Sequence, residues 1–213
     1  MKQDLYEIAD QLRGVASLGM RYCENGYDRE RYEQILKTSA RLLAVIENQP
    51  MEEIYAQYTS NLAHISPILC VEAVVFREGK ILLTQRRDDQ TWVVPGGLVE
   101  VGESLASGAE RELWEEAGLH GKVVRLLGVY DSRLWPTRTR MQLCMAQFLV
   151  EADGKPGLHN VEEKVSPLAE TLDLGFFAED QMPENMQLGH DRRAAMAFRM
   201  MRGEIPSPFF DRA

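Results

Sequence analysis

Apolar residues recur at steps of three and four along residues 4–20, where Leu5, Ile8, Leu12, Val15 and Leu18 mark one stripe of an amphipathic helix. A second helix is expected from Tyr27, with Asp28 as its candidate cap, carrying Tyr32, Ile35, Leu36, Leu42, Leu43 and Ile46. Pro50 ends it, and residues 51–58 have room for a third short helix. After Ser66-Pro67, a linker by its composition, the period changes. Residues 68–76 are apolar and β-branched, 77–80 form a turn and 81–86 alternate, so the two runs are expected to pair as a hairpin. A short strand at 92–94 leads into Pro95-Gly96-Gly97. Strands are also expected at 122–130, 141–150 and 170–177, with a turn at 153–157, exposed loop to 167 and a closing helix at 189–201. The loop before residue 141 holds Trp135, Pro136 and Arg138, and a loop of about ten residues in a compact domain is more often functional than idle. Strands flanking one or two helices, without strict βαβ alternation, imply an α+β sandwich at 67–213 preceded by a small α-helical domain at 1–66.

The densest chemistry lies in residues 97–119, GLVEVGESLASGAERELWEEAGL. Its second half reads as a helix that Ser104 can cap. Leu105, Ala106, Ala109, Leu113 and Ala117 share a stripe that should face a sheet, and Glu112, Glu115 and Glu116 share the neighbouring one. Carboxylates at i, i+3 and i+4 repel by a few tenths of a kcal/mol per exposed pair, and by more when partly buried. A hard divalent cation compensates such a cluster, because it takes oxygen ligands and leaves positions for phosphates. Taken alone, an EREL-EE string more often marks a solvated acidic face. Gly96-Gly97 before the helix and Gly118 after it supply a tight loop and a C-terminal cap, the frame that holds such a stripe against a ligand.

Bulk properties narrow the partners. The 213 residues are 45% apolar, ordinary for a chain with a core, and the net charge of -9 argues against nonspecific nucleic-acid or acidic-membrane binding. Residues 1–66 hold seven Lys or Arg against ten Asp or Glu, the wrong sign for a DNA-binding helix-turn-helix. The three cysteines, Cys23, Cys70 and Cys144, have no metal-ligand spacing, and His64, His120, His159 and His190 are scattered, so they read as structural or surface residues. With neither a signal peptide nor an apolar run of membrane-spanning length, a soluble cytoplasmic protein is expected. Two apolar helix stripes at the N-terminus need a cover, and a homodimer with residues 1–66 at its interface supplies one.

Gly97, then Glu103 after five residues, Arg111-Glu112-Leu113 after seven more, Glu115-Glu116 after one and Gly118-Leu119 after another reproduce every constrained position of the Nudix box. The chain therefore resembles the Nudix hydrolases, and the resemblance implies an α/β/α sandwich with a mixed sheet. The activity it implies is hydrolysis of the diphosphate in a nucleoside diphosphate linked to another moiety, dependent on Mg2+ or Mn2+ held by Glu112, Glu115, Glu116 and the Gly96 carbonyl. By the same resemblance Arg111 orients a box glutamate, while Gly97, Glu103 and Gly118 keep the box in shape. The general base it implies is Glu112 or, second, Glu170, with Glu162 and Glu163 as alternatives. Arg86 is placed to meet a phosphate, with Arg87 turned to solvent, and Trp92 or Trp135 to stack a base or else fill the core. The N-terminal helices around YDRERYEQI and the closing Phe209-Phe210-Asp211 are similar to a subfamily that includes CDP-choline pyrophosphatase. Leu82 to Arg86 resembles the start of the coenzyme A pyrophosphatase signature but departs at Arg87-Asp88-Asp89. A CDP-alcohol and ADP-ribose remain the two substrate readings. A nucleoside triphosphate pyrophosphatase and a non-catalytic ligand-binding module are the alternatives, although a module commonly loses box acids and here all are present.

Overall fold

Three helices, α1 (Lys2–Tyr22), α2 (Gly26–Glu47) and α3 (Met51–Ser60), open the chain in a computed structural model that describes residues 2–157 and 170–212. Glu162, Glu163 and His159 lie outside the described residues. The helices form one compact unit, Met1–Pro67, together with Thr139–Gln142 from farther along the chain. Its core is Tyr6, Ala16, Met20, Leu36, Ala40, Leu43, Ile54 and Tyr58. The expected α1 stripe is therefore displaced by one position. Ile8 and Val15 are 45% and 58% exposed, whereas Tyr6, Ala9, Ala16 and Met20 are buried. Small residues in the buried row let α1 approach α2 closely, and Ser39 Oγ reaches across to donate to the Ala9 carbonyl at 2.8 Å. The start of α2 is also corrected. Asn25 is the cap, accepting the Asp28 N–H at 2.8 Å, and Asp28 in turn accepts from Asn25 Nδ2 at 2.7 Å.

The second unit, Ile68–Arg138 with Leu143–Ala213, holds nine strands and two α-helices among its described residues. The strands are β1 (Ile68–Val74), β2 (Phe76–Arg77), β3 (Lys80–Arg86), β4 (Trp92–Val93), β5 (Gly96–Leu98), β6 (Gly121–Asp131), β7 (Leu143–Ala152), β8 (Thr171–Phe177) and β9 (Phe209–Phe210). One sheet is mixed, in the order β5-β1-β7-β6-β9, with β1 parallel to β7 and β6 antiparallel to it. The other places β3 between β2, β4 and β8, all antiparallel. The expected hairpin shrinks accordingly: only Phe76-Arg77 pairs with Lys80-Ile81, and the chain changes sheets at Val75. The reason is burial. Residues Cys70 to Val74 are covered on both faces, which suits a strand running parallel to β7 inside the sheet rather than one arm of a surface hairpin.

Alternate residues of β1 serve the two helical layers. Val71 and Ala73 pack with Ala109, Leu113 and Ala117 of α4 (Leu105–Ala117), while Val74 packs with Ala194, Ala197 and Phe198 of α5 (His190–Met201). The result is a helix, sheet, helix sandwich with the acidic stripe of α4 beside its apolar one. Two strands that the hydrophobic pattern did not mark, β5 and β9, close the edges of the mixed sheet.

Candidate active site

Helix α4 is fixed at both ends. Ser104 Oγ accepts the Ser107 N–H at 3.1 Å and Ser107 Oγ accepts the Ser104 N–H at 3.0 Å, a reciprocal cap. Gly118 ends the helix in the left-handed region at φ 62°, donating its N–H to the Trp114 carbonyl. Ahead of the helix, β5 runs against β1 so closely that a β-carbon on Gly96 would strike the Val71 carbonyl. One on Gly97 would strike the Glu112 carboxylate. Glycine at both positions is what lets the strand backbone reach the acidic stripe.

Arg111 gathers the acids of this stretch. Its Nε donates to Glu103 Oε1 at 2.9 Å, its Nη2 to Glu103 Oε2 and the Leu98 carbonyl at 3.1 Å each, and its Nη1 to Glu112 Oε1 and Glu115 Oε2 at 2.9 Å each. The forked contact with Glu103 is the charge-assisted kind that fixes direction as well as distance. Hydrogen bonds from Arg111 and from the Glu100 N–H hold the Glu103 carboxyl below its usual range. Glu116 lies where Arg111 does not reach. Its Oε2 accepts from Thr84 Oγ1 and from the Gly96 N–H, each at 3.2 Å, and among the described residues it has no ion-pair partner. Burial, with the Glu112 charge added, pushes its carboxyl up to about 8. Burial also raises Glu112, with the Arg111 bond opposing it. Glu170 stands near enough to raise both, and its carbonyl accepts the Arg87 N–H at 2.7 Å.

No three acidic, imidazole or thiol groups among the described residues converge as metal ligands: Glu112 and Glu115 face Arg111, and Glu116 faces Thr84 and Gly96. The donor set still fits a hard divalent cation. Two part-buried carboxylates one helical turn apart, one of them without a cation, are raised by burial, and such an ion would favour their charged, ligating forms.

Around this centre lie the other residues singled out in the sequence. Arg86 stands close enough to Glu116 to feel its charge, with Nε and Nη2 forked onto Asp88 at 3.0 and 2.7 Å. Arg87 is exposed and donates to the Thr171 carbonyl at 3.2 Å. Asp89 accepts from the Thr91 N–H and hydroxyl and pairs with Arg138, tying the β6–β7 loop to the β3–β4 turn. Trp92 meets Phe177 edge-on at 4.9 Å. Trp135 meets Tyr130 edge-on at 4.8 Å and donates from Nε1 to Asp211 at 2.8 Å. Asp211 also accepts the Asp131 N–H at 2.8 Å, so the closing Phe-Phe-Asp segment locks this loop as well as the sheet edge.

One buried network has no counterpart among the sequence-based expectations. Glu72, 4% exposed, accepts from Arg193 Nε at 2.8 Å and from Gln147 Nε2 at 2.9 Å, and pairs with Arg193 Nη2 at 2.6 Å. Burial works against its charge, yet the charge of Arg193 and the hydrogen bonds from Arg193 and Gln147 hold its carboxyl below the usual range. His190 is neutral: burial lowers it to about 4, and its Nδ1 accepts the Val94 N–H at 3.2 Å. Its 3.5 Å approach to Glu72 is therefore not an ion pair. The available signal was a glutamate inside an otherwise apolar strand, ILCVEAV.

Comparison with known proteins gives the family. The family model described as NUDIX domain matches residues 67–196, and the model described as UDP-X-like, N-terminal oligomerisation domain matches residues 3–58. The chain is 31% identical over 181 residues to YjhB of Bacillus subtilis (strain 168), provisionally named an ADP-ribose pyrophosphatase, spanning 83% of this chain and 82% of that one. Among solved structures, a UDP-X diphosphatase covers 99% of both chains with a TM-score of 0.60 at 24% identity, a likeness of fold. An ADP-ribose pyrophosphatase from Streptococcus suis 89-1591 covers 68% of this chain and 100% of its own, with a TM-score of 0.57 at 29% identity. With the box complete, its arginine fork in place and the family model spanning most of the chain, the protein belongs to the Nudix hydrolase family.

Proposed function

We propose that this Nudix hydrolase cleaves the diphosphate linkage of a small nucleoside diphosphate conjugate, ADP-ribose or a CDP-alcohol such as CDP-choline, giving a nucleoside monophosphate and a phosphorylated product. The observation that carries the reading is the Glu112 and Glu116 pair, part-buried one helical turn apart beside Gly96, with no cation paired to Glu116 among the described residues. The similarity to YjhB over most of both chains supports ADP-ribose, and the N-terminal helices support the wider class of conjugates.

Glu112, Glu115, Glu116 and the Gly96 carbonyl would hold Mg2+ or Mn2+. The chemistry such a cation supplies is polarisation of the phosphoryl oxygens and acidification of water. Arg111 orients Glu112 and Glu115 through Nη1 while Glu103 keeps the guanidinium in place. Thr84 and the Gly96 N–H orient Glu116. Glu112, or else Glu170 near the same stripe, takes the proton of the attacking water. Arg86 meets a phosphate oxygen, and Trp92 or Trp135 stacks the base.

The test is a screen of the purified protein with ADP-ribose, CDP-choline, UDP-glucose and ATP in Mg2+ or Mn2+, reading phosphate released after phosphatase treatment. Turnover of conjugates but not ATP is expected. Preferred cleavage of ATP would assign the triphosphate activity instead, and tight binding with no turnover would make the domain a ligand-binding module. The exposed Ile8 and Val15 on α1 and the match to an oligomerisation domain support a homodimer, for which light scattering should give about twice the 24.3 kDa chain mass. The free cysteines Cys23, Cys70 and Cys144 are in keeping with a reducing cytoplasm. Among the described residues no helix is long and apolar enough to cross a membrane.

A further inference from the structure

Helix α5 starts at Gly189 with no side-chain cap, and its first turn carries a charged group that the network beneath does not use up. Arg193 is 1% exposed; its Nε donates to Glu72 Oε1 and its Nη2 pairs with the same oxygen at 2.6 Å, which fixes that edge of the guanidinium. Its Nη1 is buried and has no hydrogen-bond partner. Such an orphaned donor is uncommon in a folded protein and calls for a physical reason. Nη1 lies beside Gly189: a β-carbon built there would stand 3.0 Å from it and would clash with the carbonyl of Pro136. Gly189, at φ 86°, is thus the point where the β6–β7 loop comes down over Arg193. The loop is fastened on either side of that point, by Trp135 to Asp211 and by Arg138 to Asp89. An acceptor is held beside a free donor, and the two are not bonded.

The charge of the site selects the acceptor. Glu72 and Arg193 are neutral as a pair and His190 carries no charge, so Nη1 suits a carbonyl oxygen better than a phosphate. We propose that Arg193 is a positioning residue for the β6–β7 loop: when the loop closes, Nη1 donates to the Pro136 carbonyl and sets Trp135 and Arg138 at the edge of the substrate site. The proposal rests on the proposed function, in which this loop borders the substrate. Arg193 itself touches neither substrate nor reacting atoms.

The test uses the full chain and two variants. Arg193→Met combined with Glu72→Gln removes the donor without stranding a buried charge, and Arg193→Lys keeps a cation opposite Glu72 but cannot serve both acceptors. The proposal has the closed form populated in the free protein, so there the hydrogen exchange of the amides at 133–138 is expected to rise about tenfold in both variants as that form loses one bond from a charged donor, while β1, β7 and α5 keep their protection. With ADP-ribose and UDP-glucose as probes, KM is expected to rise about tenfold with kcat within about twofold. Unchanged loop exchange would overturn the proposal, and so would a loss of protection spread through α5, which is what a plain anchor of that helix would give. If the unaltered protein hydrolyses neither probe, the functional reading fails while loop exchange still decides the role of Arg193.

Discussion

Glu116 concentrates the chemistry of the site, because it is the box acid that Arg111 leaves uncompensated. Glu116→Gln is expected to keep the fold and to lower kcat by about a hundredfold or more, since it removes a charge needed most in the transition state. Circular dichroism and steady-state kinetics check the two halves of that statement. The same residue sets a pH dependence. With its carboxyl at about 8 in the folded chain against an ordinary value of 4.5, the folded state binds the extra proton between those values. Its contribution to stability is therefore full below about 4.5 and is lost as pH rises to about 8. Melting temperatures in chelator should fall across that window for the unaltered protein and change less for Glu116→Gln. Equal slopes would show the carboxyl to be ionised throughout. At this scale the sequence was informative where spacing along one helix decides the geometry, as for Glu112, Glu115 and Glu116. It was silent on Thr84, which reaches Glu116 of α4 from strand β3, and on Arg193, whose partner Glu72 lies 121 positions away.

Among the elements, α4 was framed correctly by its capping residues, whereas Gly96-Gly97, expected as a tight loop, begin the strand β5, and α1 shows how a hydrophobic period can miss the face that meets a neighbour in the same chain. The larger apolar residues Ile8 and Val15 look outward, and the row that meets α2 is built on Ala9 and Ala16. Periodicity reports that a face is apolar, not which neighbour covers it, and a close helix contact selects small residues instead. Ala16→Leu, at a site with 0% exposure, should destabilise the helical unit by about 1 to 3 kcal/mol through overpacking, measurable by urea unfolding. Val15→Ser should leave that unfolding nearly unchanged yet weaken self-association in light scattering. The hairpin at Phe76 was foreshortened for a comparable reason: an apolar run tells a strand from a loop, but not which of two sheets each part of it joins.

For the whole molecule, a chain of net charge -9 is expected to act on an anionic diphosphate, and the two facts are compatible only if a cation stands between them. That requirement joins the acidic stripe, the oxygen-only donor set and the family membership into one account, in which residues 1–66 are proposed to serve assembly and the remainder catalysis. Deleting residues 1–66 should yield a monomer or an aggregate, and a soluble, fully active monomer would make the extension dispensable. The most direct measurement of the central claim is initial-rate hydrolysis of ADP-ribose and CDP-choline across a titration of Mg2+ or Mn2+ against chelator. Turnover of at least one conjugate that rises with free cation, vanishes in excess chelator and returns when the cation is restored is the expected result. Full turnover in excess chelator would contradict the account.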